Sequence, residues 1–246
     1  MTKTSRYWLI IPAAGIGARL GSEKPKQYLS LMDKAVIEHS LDCFLTDERI
    51  EKIFVALNSE DQYWNTLSVS NHPKIIVVGG GEDRHLSVFN GLKVLKETAE
   101  SDDWVIVHDA ARPCVTASDI DQLIEKTRNH PIGGVLGAPV SDTLKHIEYP
   151  EISPEKNADK SLPVVVKTVD RSTTWAAYTP QIFRFNVLYD ALRTLVKAGT
   201  SVTDESSAIE YAGYQPLMIE GRRDNLKITV PGDLEMAEKI KINQSE

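Results

Sequence analysis

The chain has 246 residues, 41% of them hydrophobic and 26% charged. That is enough for one large domain, or a domain with an appendage, and it excludes wholesale disorder and fibrous repetition. No apolar run approaches the roughly 20 residues a membrane span needs. The net charge of −7, from 28 basic and 35 acidic residues, argues against broad binding to nucleic acid or to an anionic membrane.

In chain order, the polar opening of residues 1–7 carries no signal-peptide pattern, so a cytoplasmic location is expected. The two cysteines, Cys43 and Cys114, offer neither a disulfide framework nor a metal spacing, and read as small buried side chains in a reducing compartment. Apolar runs at 8–11, 53–57, 75–78 and 104–107 predict strands covered on both faces. Between them, 36–45, 86–95 and 118–126 have apolar residues at helical spacing, the last with Ser118 as its expected N-cap. Strand alternating with helix predicts an α/β fold, a mainly parallel twisted sheet with helices on both faces.

The rhythm changes after Pro139. Residues 143–169 contain Pro150, Pro154 and Pro163 and a charged middle, with strand-like flanks at 144–147 and 164–169. A protruding β-hairpin arm with a polar tip, at about 141–171, accounts for this better than a long structureless loop. Alternation then resumes with helices at 185–197 and 204–211, strands at 216–219 and 226–229, and a last helix from Pro231.

Several loops at strand ends carry candidate chemistry. The first is Pro12-Ala13-Ala14-Gly15-Ile16-Gly17-Ala18-Arg19-Leu20-Gly21. It is no dinucleotide fingerprint, because Leu20 stands where the third glycine belongs and Asn58-Ser59 stand where the acidic residue is expected. It is no Walker A loop either, for no Gly-Lys-Ser/Thr follows. Its small residues still permit close backbone approach, and free N–H groups can hold phosphate oxygens. Taken alone it is equally a tight strand-to-helix turn. Arg19, Lys24 and Lys26 follow closely, with Pro25 stiffening the path, and these cations turn the loop into an anion site within an acidic protein.

Gly79-Gly80-Gly81-Glu82-Asp83-Arg84-His85-Leu86-Ser87 follows the third strand, and His108-Asp109-Ala110-Ala111-Arg112-Pro113 follows the fourth. In open α/β sheets ligands bind beyond the carboxyl ends of strands. His108 by itself reads as a structural residue.

Taken in order, these segments resemble the 2-C-methyl-D-erythritol 4-phosphate cytidylyltransferase family from Trp8 to about Ile240. The resemblance is carried by residues 12–19, by Lys24-Pro25-Lys26-Gln27-Tyr28, Arg84-His85-Leu86-Ser87-Val88 and His108-Asp109-Ala110-Ala111-Arg112-Pro113, and by residues 139–145. It continues through Val169-Asp170-Arg171, Tyr178-Thr179-Pro180-Gln181, Thr203-Asp204-Glu205 and Asn225-Leu226-Lys227. The glycine-rich opening marks sugar nucleotidyltransferases in general. The His-Asp-Ala-Ala-Arg-Pro, Thr-Pro-Gln and Val-Asp-Arg segments are much more specific.

The resemblance implies a single Rossmann-like domain of the nucleotidyltransferase type over residues 1–246, with CTP and a small polyol phosphate, methylerythritol phosphate, as substrates. It assigns the cytidine to Pro12, Ala13, Ala14, Gly15, Gly17, Gly81, Glu82, Ser87 and Asp109, and the triphosphate to Arg19, Lys26 and Lys227. It assigns the acceptor side to Asp109, Arg112, Thr143, Arg171, Thr179 and Thr203. It further implies Mg2+ held mainly through the CTP phosphates, with no protein side chain named as a ligand. The implied assembly is a homodimer whose arms exchange, so that Thr143 and Arg171 serve the neighbouring subunit. The phosphate nucleophile is already an anion, so positioned cations rather than a strong base carry the expected chemistry. Two rivals are a ribitol 5-phosphate cytidylyltransferase and a non-catalytic nucleotide-binding sensor.

Overall fold

The computed structural model describes residues 5–15, 24–149 and 162–245. The chain runs β1 (Tyr7–Pro12), β2 (Ser30–Leu31), β3 (Lys34–Ala35), α1 (Val36–Thr46), β4 (Ile50–Leu57), β5 (Ile75–Gly79), α2 (Arg84–Leu95), β6 (Trp104–Val107) and α3 (Ala117–Thr127). It continues with β7 (Gly133–Pro139), β8 (Lys145–Glu148), β9 (Val164–Thr168), β10 (Trp175–Arg184), α4 (Phe185–Ala198), α5 (Glu205–Tyr211), β11 (Leu217–Glu220) and α6 (Gly232–Ser245).

Seven strands form one sheet in the order β11-β7-β10-β6-β1-β4-β5. Within it β10 runs antiparallel to both its neighbours, and the other pairings are parallel. The expected mainly parallel sheet is therefore present. From β1 the chain crosses to β4 and β5 on one side, then returns to β6 on the other side of β1. This reversal opens a crevice at the carboxyl ends of β1 and β6, where open α/β sheets bind ligands.

Period-two alternation puts β1 into two cores at once. Leu9 and Ile11 pack with Ile37, Leu41 and Phe44 of α1 and with Ile120 and Leu123 of α3. Trp8 and Ile10 pack on the other face with Val88 and Leu92 of α2, Leu188 and Leu192 of α4, and Ile209 of α5. Both faces of the strand are buried, which is why its sequence is continuously apolar rather than alternating. A third cluster joins Leu31, Val36, Ala111, Cys114 and Ile228 to Ala237 of α6.

Four expectations need correction. The strand at 75–78 is not covered on both faces: β5 is the edge of the sheet, and Val77 is exposed. The N-cap of α3 is Thr116, not Ser118: Asp119 N–H donates to Thr116 Oγ1 at 3.4 Å and the Asp119 carboxylate accepts from Thr116 N–H at 2.9 Å. This reciprocal box satisfies two otherwise orphaned donors, and Ser118 has no such partner geometry inside the first turn. Residues 226–229 form no strand; the segment is extended and crosses the mouth of the crevice, with Ile228 N–H donating to Ala111 O at 2.9 Å. Besides the two-residue strands β2 and β3, two strands of the main sheet also went unread, β7 and β10. The former holds Gly133, Gly134 and Gly137 and the latter holds Pro180, residues that weaken a strand signal. Register shifts between Tyr178 and Gln181, so Pro180 sits at an irregularity where no ladder donor is needed.

The arm grows out of the β7–β10 pair. β8 and β9 pair antiparallel, Lys145 opposite Thr168 and Glu148 opposite Val164. The expected tip lies largely outside the described residues. Every residue of β9 is exposed, Val164, Val165 and Val166 included.

Candidate active site

The crevice is a cleft of about 610 Å³. Its floor and walls come from four places: Pro12, Ala13, Ala14 and Gly15 after β1, Gly81 to Arg84 with Ser87 at the start of α2, Asp109 to Ala111 after β6, and Lys227 with Thr229 from the extended segment. Lys26 and Gln27 complete it. Sequence-distant loops meet here because the parallel strands deliver their carboxyl ends to one edge.

Local contacts explain why each loop holds its shape. Gln27 is buried, and its amide donates to Ala13 O at 2.9 Å and to Gly15 O at 3.0 Å, pinning the post-β1 loop. Gly80 lies so close to that loop that a Cβ there would stand 2.3 Å from Ala14 Cβ, so only glycine lets the two loops touch. Ser87 Oγ accepts from Gly81 N–H at 3.0 Å and ties the glycine turn to α2. Lys26 Nζ donates to Ile228 O at 3.0 Å, which brings the first cation to the extended segment. Lys24 instead lies over the Tyr63 ring, 5.4 Å from its centre.

Asp109 is the hub. Its Oδ1 is 2.8 Å from Arg84 Nε, and its Oδ2 is 2.7 Å from Lys227 Nζ and 3.4 Å from Arg112 Nε. Burial alone would push this carboxyl upward, but Arg84, Lys227 and Arg112 outweigh it and hold it well below the ordinary range. Asp109 is thus a permanently ionised anchor and no proton acceptor. Arg84 turns its other edge to Glu205, with Nη1 and Nη2 at 2.7 and 2.9 Å from the two carboxylate oxygens. Burial would lower the Arg84 pKa, and Glu205 and Asp109 raise it instead. Two buried carboxylates, Asp109 and Glu205, thus hold three half-buried cations, Arg84, Arg112 and Lys227, at fixed positions beside the cleft.

Behind Asp109 lies a neutral layer. Thr179 Oγ1 accepts from Asp109 N–H at 2.9 Å and sits 3.1 Å from His108 Nδ1. His108 is completely buried, and burial lowers its pKa to about 3 against the weaker pull of Asp109. It stays neutral in the folded protein down to that pH, whereas the unfolded chain protonates it near about 6.5. A depressed folded value means stability that is whole above about pH 6.5 and lost as pH falls toward 3. Urea unfolding should therefore lose about 1.4 kcal/mol per pH unit from this group below about pH 6. His108→Gln should flatten the slope by that amount; an identical slope in the variant would show that His108 is not the proton sink.

The structure brings together at one cleft ten of the expected site residues: Pro12, Ala13, Ala14, Gly15, Lys26, Gly81, Glu82, Ser87, Asp109 and Lys227. Gly17 and Arg19 lie outside the described residues. Arg112 and Thr179 stand one layer behind, contacting Asp109 rather than the open cleft. Arg112 also donates to Asn225 O at 2.8 Å, and Asn225 Nδ2 donates to Thr179 O at 2.9 Å. Thr203 pairs with Ser207 through their hydroxyls at 3.2 Å. Thr143 and Arg171 flank the arm, Arg171 donating to Ser141 O at 2.5 Å, and neither lines this cleft. Arg84, Gln27 and Glu205 were not singled out from sequence as site residues, though all three stand inside motifs that were. Among the described residues no group of three or more His, Cys, Asp or Glu is arranged to hold a metal ion.

Fold and cleft together define an α/β protein of the nucleotidyltransferase type. The family profile of 2-C-methyl-D-erythritol 4-phosphate cytidylyltransferase (IspD) matches residues 7–242, and the chain belongs to that family. It is 46% identical over 233 residues to the protein of that name from Hahella chejuensis, covering 95% of this chain and 92% of the relative. It is 45% identical to the one from Pseudomonas aeruginosa over 93% of both chains. Among solved structures, the cytidylyltransferase of Francisella tularensis superposes with a TM-score of 0.80 at 38% identity, over 96% of this chain and all of that one.

Proposed function

We propose that the protein transfers the cytidylyl group of CTP to 2-C-methyl-D-erythritol 4-phosphate, giving 4-diphosphocytidyl-2-C-methyl-D-erythritol and pyrophosphate in the non-mevalonate route to isoprenoid precursors. The observation that carries this is the cleft itself, with Lys26 and Lys227 at a glycine-lined crevice in a chain that matches the family over residues 7–242.

An oxygen of the acceptor phosphate attacks the α-phosphorus of CTP, and the bond to the departing pyrophosphate breaks as the new P–O bond forms. Both partners are anions, so the task is to hold them together and to stabilise charge as it spreads. Lys26 and Lys227 are assigned to the phosphates, joined by Arg19 on sequence grounds. Gly15, Gly81, Glu82 and Ser87 are assigned to the cytidine, with Pro12, Ala13, Ala14 and Gly17 shaping its loop. Asp109 serves ribose and acceptor and fixes the Lys227 ammonium. Arg112 and Thr179 act on the acceptor side by orienting Asp109, and Thr203 is assigned to that side on sequence grounds.

Mg2+ belongs to the same proposal. Both oxygens of Asp109 already meet cations, so the donor set suits an ion carried in on the triphosphate and completed by water. Such an ion would neutralise phosphate charge when bound.

We read residues 1–246 as one domain with an arm at about 141–171 that docks on a second copy. Support comes from the apolar residues the arm leaves uncovered, Ile147, Val164, Val165 and Val166. Thr143 and Arg171 would then complete the partner's site. Two results are expected. Val165→Asp with Val166→Asp should turn a dimer into a monomer by light scattering; an unchanged mass would reject the arm interface. Mixing Lys26→Ala with Arg171→Ala enzyme should recover up to about a quarter of wild-type activity per subunit under random exchange, since only sites built from two intact halves work. No recovery despite subunit exchange would count against shared sites. The unbridged Cys43 and Cys114 support a cytoplasmic location.

The deciding experiment is Mg2+-dependent pyrophosphate release from CTP with methylerythritol phosphate and ribitol 5-phosphate side by side. Release with the first alone is expected. Release with the second alone would keep the fold and CTP but overturn the acceptor, and CTP binding without release would favour a sensor.

A further inference from the structure

We infer that Glu205, at the start of α5, is a positioning residue: by gripping Arg84 at two points it sets the orientation of Asp109 and, through Asp109, the location of the Lys227 ammonium. What Lys227 does for the reaction rests on the proposed function above; the geometry does not.

The guanidinium is one rigid plane with five donors. Two of its nitrogens meet the two oxygens of Glu205, and Nε meets Asp109 Oδ1. Rotating the plane at one carboxylate therefore displaces its contact with the other. Asp109 Oδ2 in turn holds Lys227 at 2.7 Å. Glu205 is itself immobile. It is completely buried, and the turn carrying it is fastened to β10 by Gln181, whose amide donates to Asp204 Oδ2 at 2.8 Å and accepts from Ser206 N–H at 3.0 Å. Asp204 caps the same turn through Ser207 N–H at 2.9 Å. A continuous chain of contacts thus runs from the sheet through Gln181, α5, Glu205, Arg84 and Asp109 to the cation in the cleft. Stability alone is a poor reason for this arrangement, because a buried ion pair seldom outperforms apolar residues of the same volume. Fixing the direction of a charge is what a two-point fork does well.

The test uses the full-length enzyme and two readouts. One is labelling of Lys227 by limiting acetic anhydride without ligands, measured by mass spectrometry against the other lysines. The other is steady-state turnover. Glu205→Gln, with its fold checked by circular dichroism, should raise Lys227 labelling about threefold or more and lower kcat about 10- to 100-fold, with KM for CTP moving less than about threefold. In an Arg84→Met background the same substitution should change labelling and kcat by less than about twofold. If Glu205→Gln does not fold, Arg84→Lys, which keeps the charge and loses the plane, should produce the same two changes. Wild-type labelling in the folded variant, or equal losses with Arg84 present and absent, would overturn the inference. A wild-type enzyme that releases no pyrophosphate while Lys227 labelling still shifts in the variant would sink the proposed reaction and uphold the positioning role of Glu205.

Discussion

Replacing Lys26 by alanine should lower kcat by about 10²- to 10³-fold, with a smaller rise in KM for CTP. The reason is where the ammonium stands. It is held at 3.0 Å from Ile228 O, on the wall of the cleft that also carries Lys227 and Thr229. The substrates arrive with their charges already formed, so a cation matters most where charge is redistributed between the attacking and leaving oxygens. Loss of a contact made mainly in the transition state appears in kcat rather than in KM. Lys26→Arg should recover only part of the rate, since a broad planar fork does not reproduce a point charge. Initial rates of pyrophosphate release at saturating CTP would measure both. An alanine variant with wild-type kcat would remove Lys26 from the chemistry and leave it as a brace for the 226–229 segment.

Gly133→Ala should be the most damaging single-methyl addition to the fold, destabilising it by more than about 4 kcal/mol. Gly133 has φ of +139°, a region L residues rarely adopt, and a Cβ built there would stand 2.0 Å from Ile182 O and 2.7 Å from Phe183 Cα. Both obstacles are backbone of β10, the antiparallel strand held between β7 and β6, and cannot rotate away. The contact could be relieved only by parting β7 from β10, at the expense of a buried ladder. Urea unfolding, or the failure of the variant to accumulate in folded form, would measure this. A variant within about 1 kcal/mol of wild type would mean that the β7–β10 register shifts without penalty.

The layout of the first half was readable from sequence for a definite reason. The strands at 8–11, 53–57 and 104–107 are covered on both faces, so they are uninterrupted apolar runs, and the edge strand at 75–78 is apolar too although Val77 is exposed; each helix shows one apolar stripe. The ligand loops follow these strands directly, so Gly15, Gly81, Ser87 and Asp109 stood out by position as well as by type. The second half was harder. β7 is glycine-rich because β10 and β11 approach it closely, and β10 breaks its register at Pro180, so neither presents a strand pattern. The 226–229 run is apolar enough to resemble a strand, but Ile228 packs under α6 and joins no sheet.

By itself, then, the chain's order of apolar runs, glycine loops and cations determined the α/β class, the edge of the sheet where the cleft opens and the anionic ligand proposed for it, because these depend on local periodicity and local residue type. Only the tertiary structure decided which carboxylate meets which cation. Arg84 and Glu205 are 121 residues apart, and Asp109 and Thr179 are 70 apart. Nothing local in either segment selects its partner. The pairing follows from the crossover that sets β6 beside β10 and α5 against α4 and α2, and in a buried site that pairing decides whether a carboxyl is a base, a ligand or a fixed anchor.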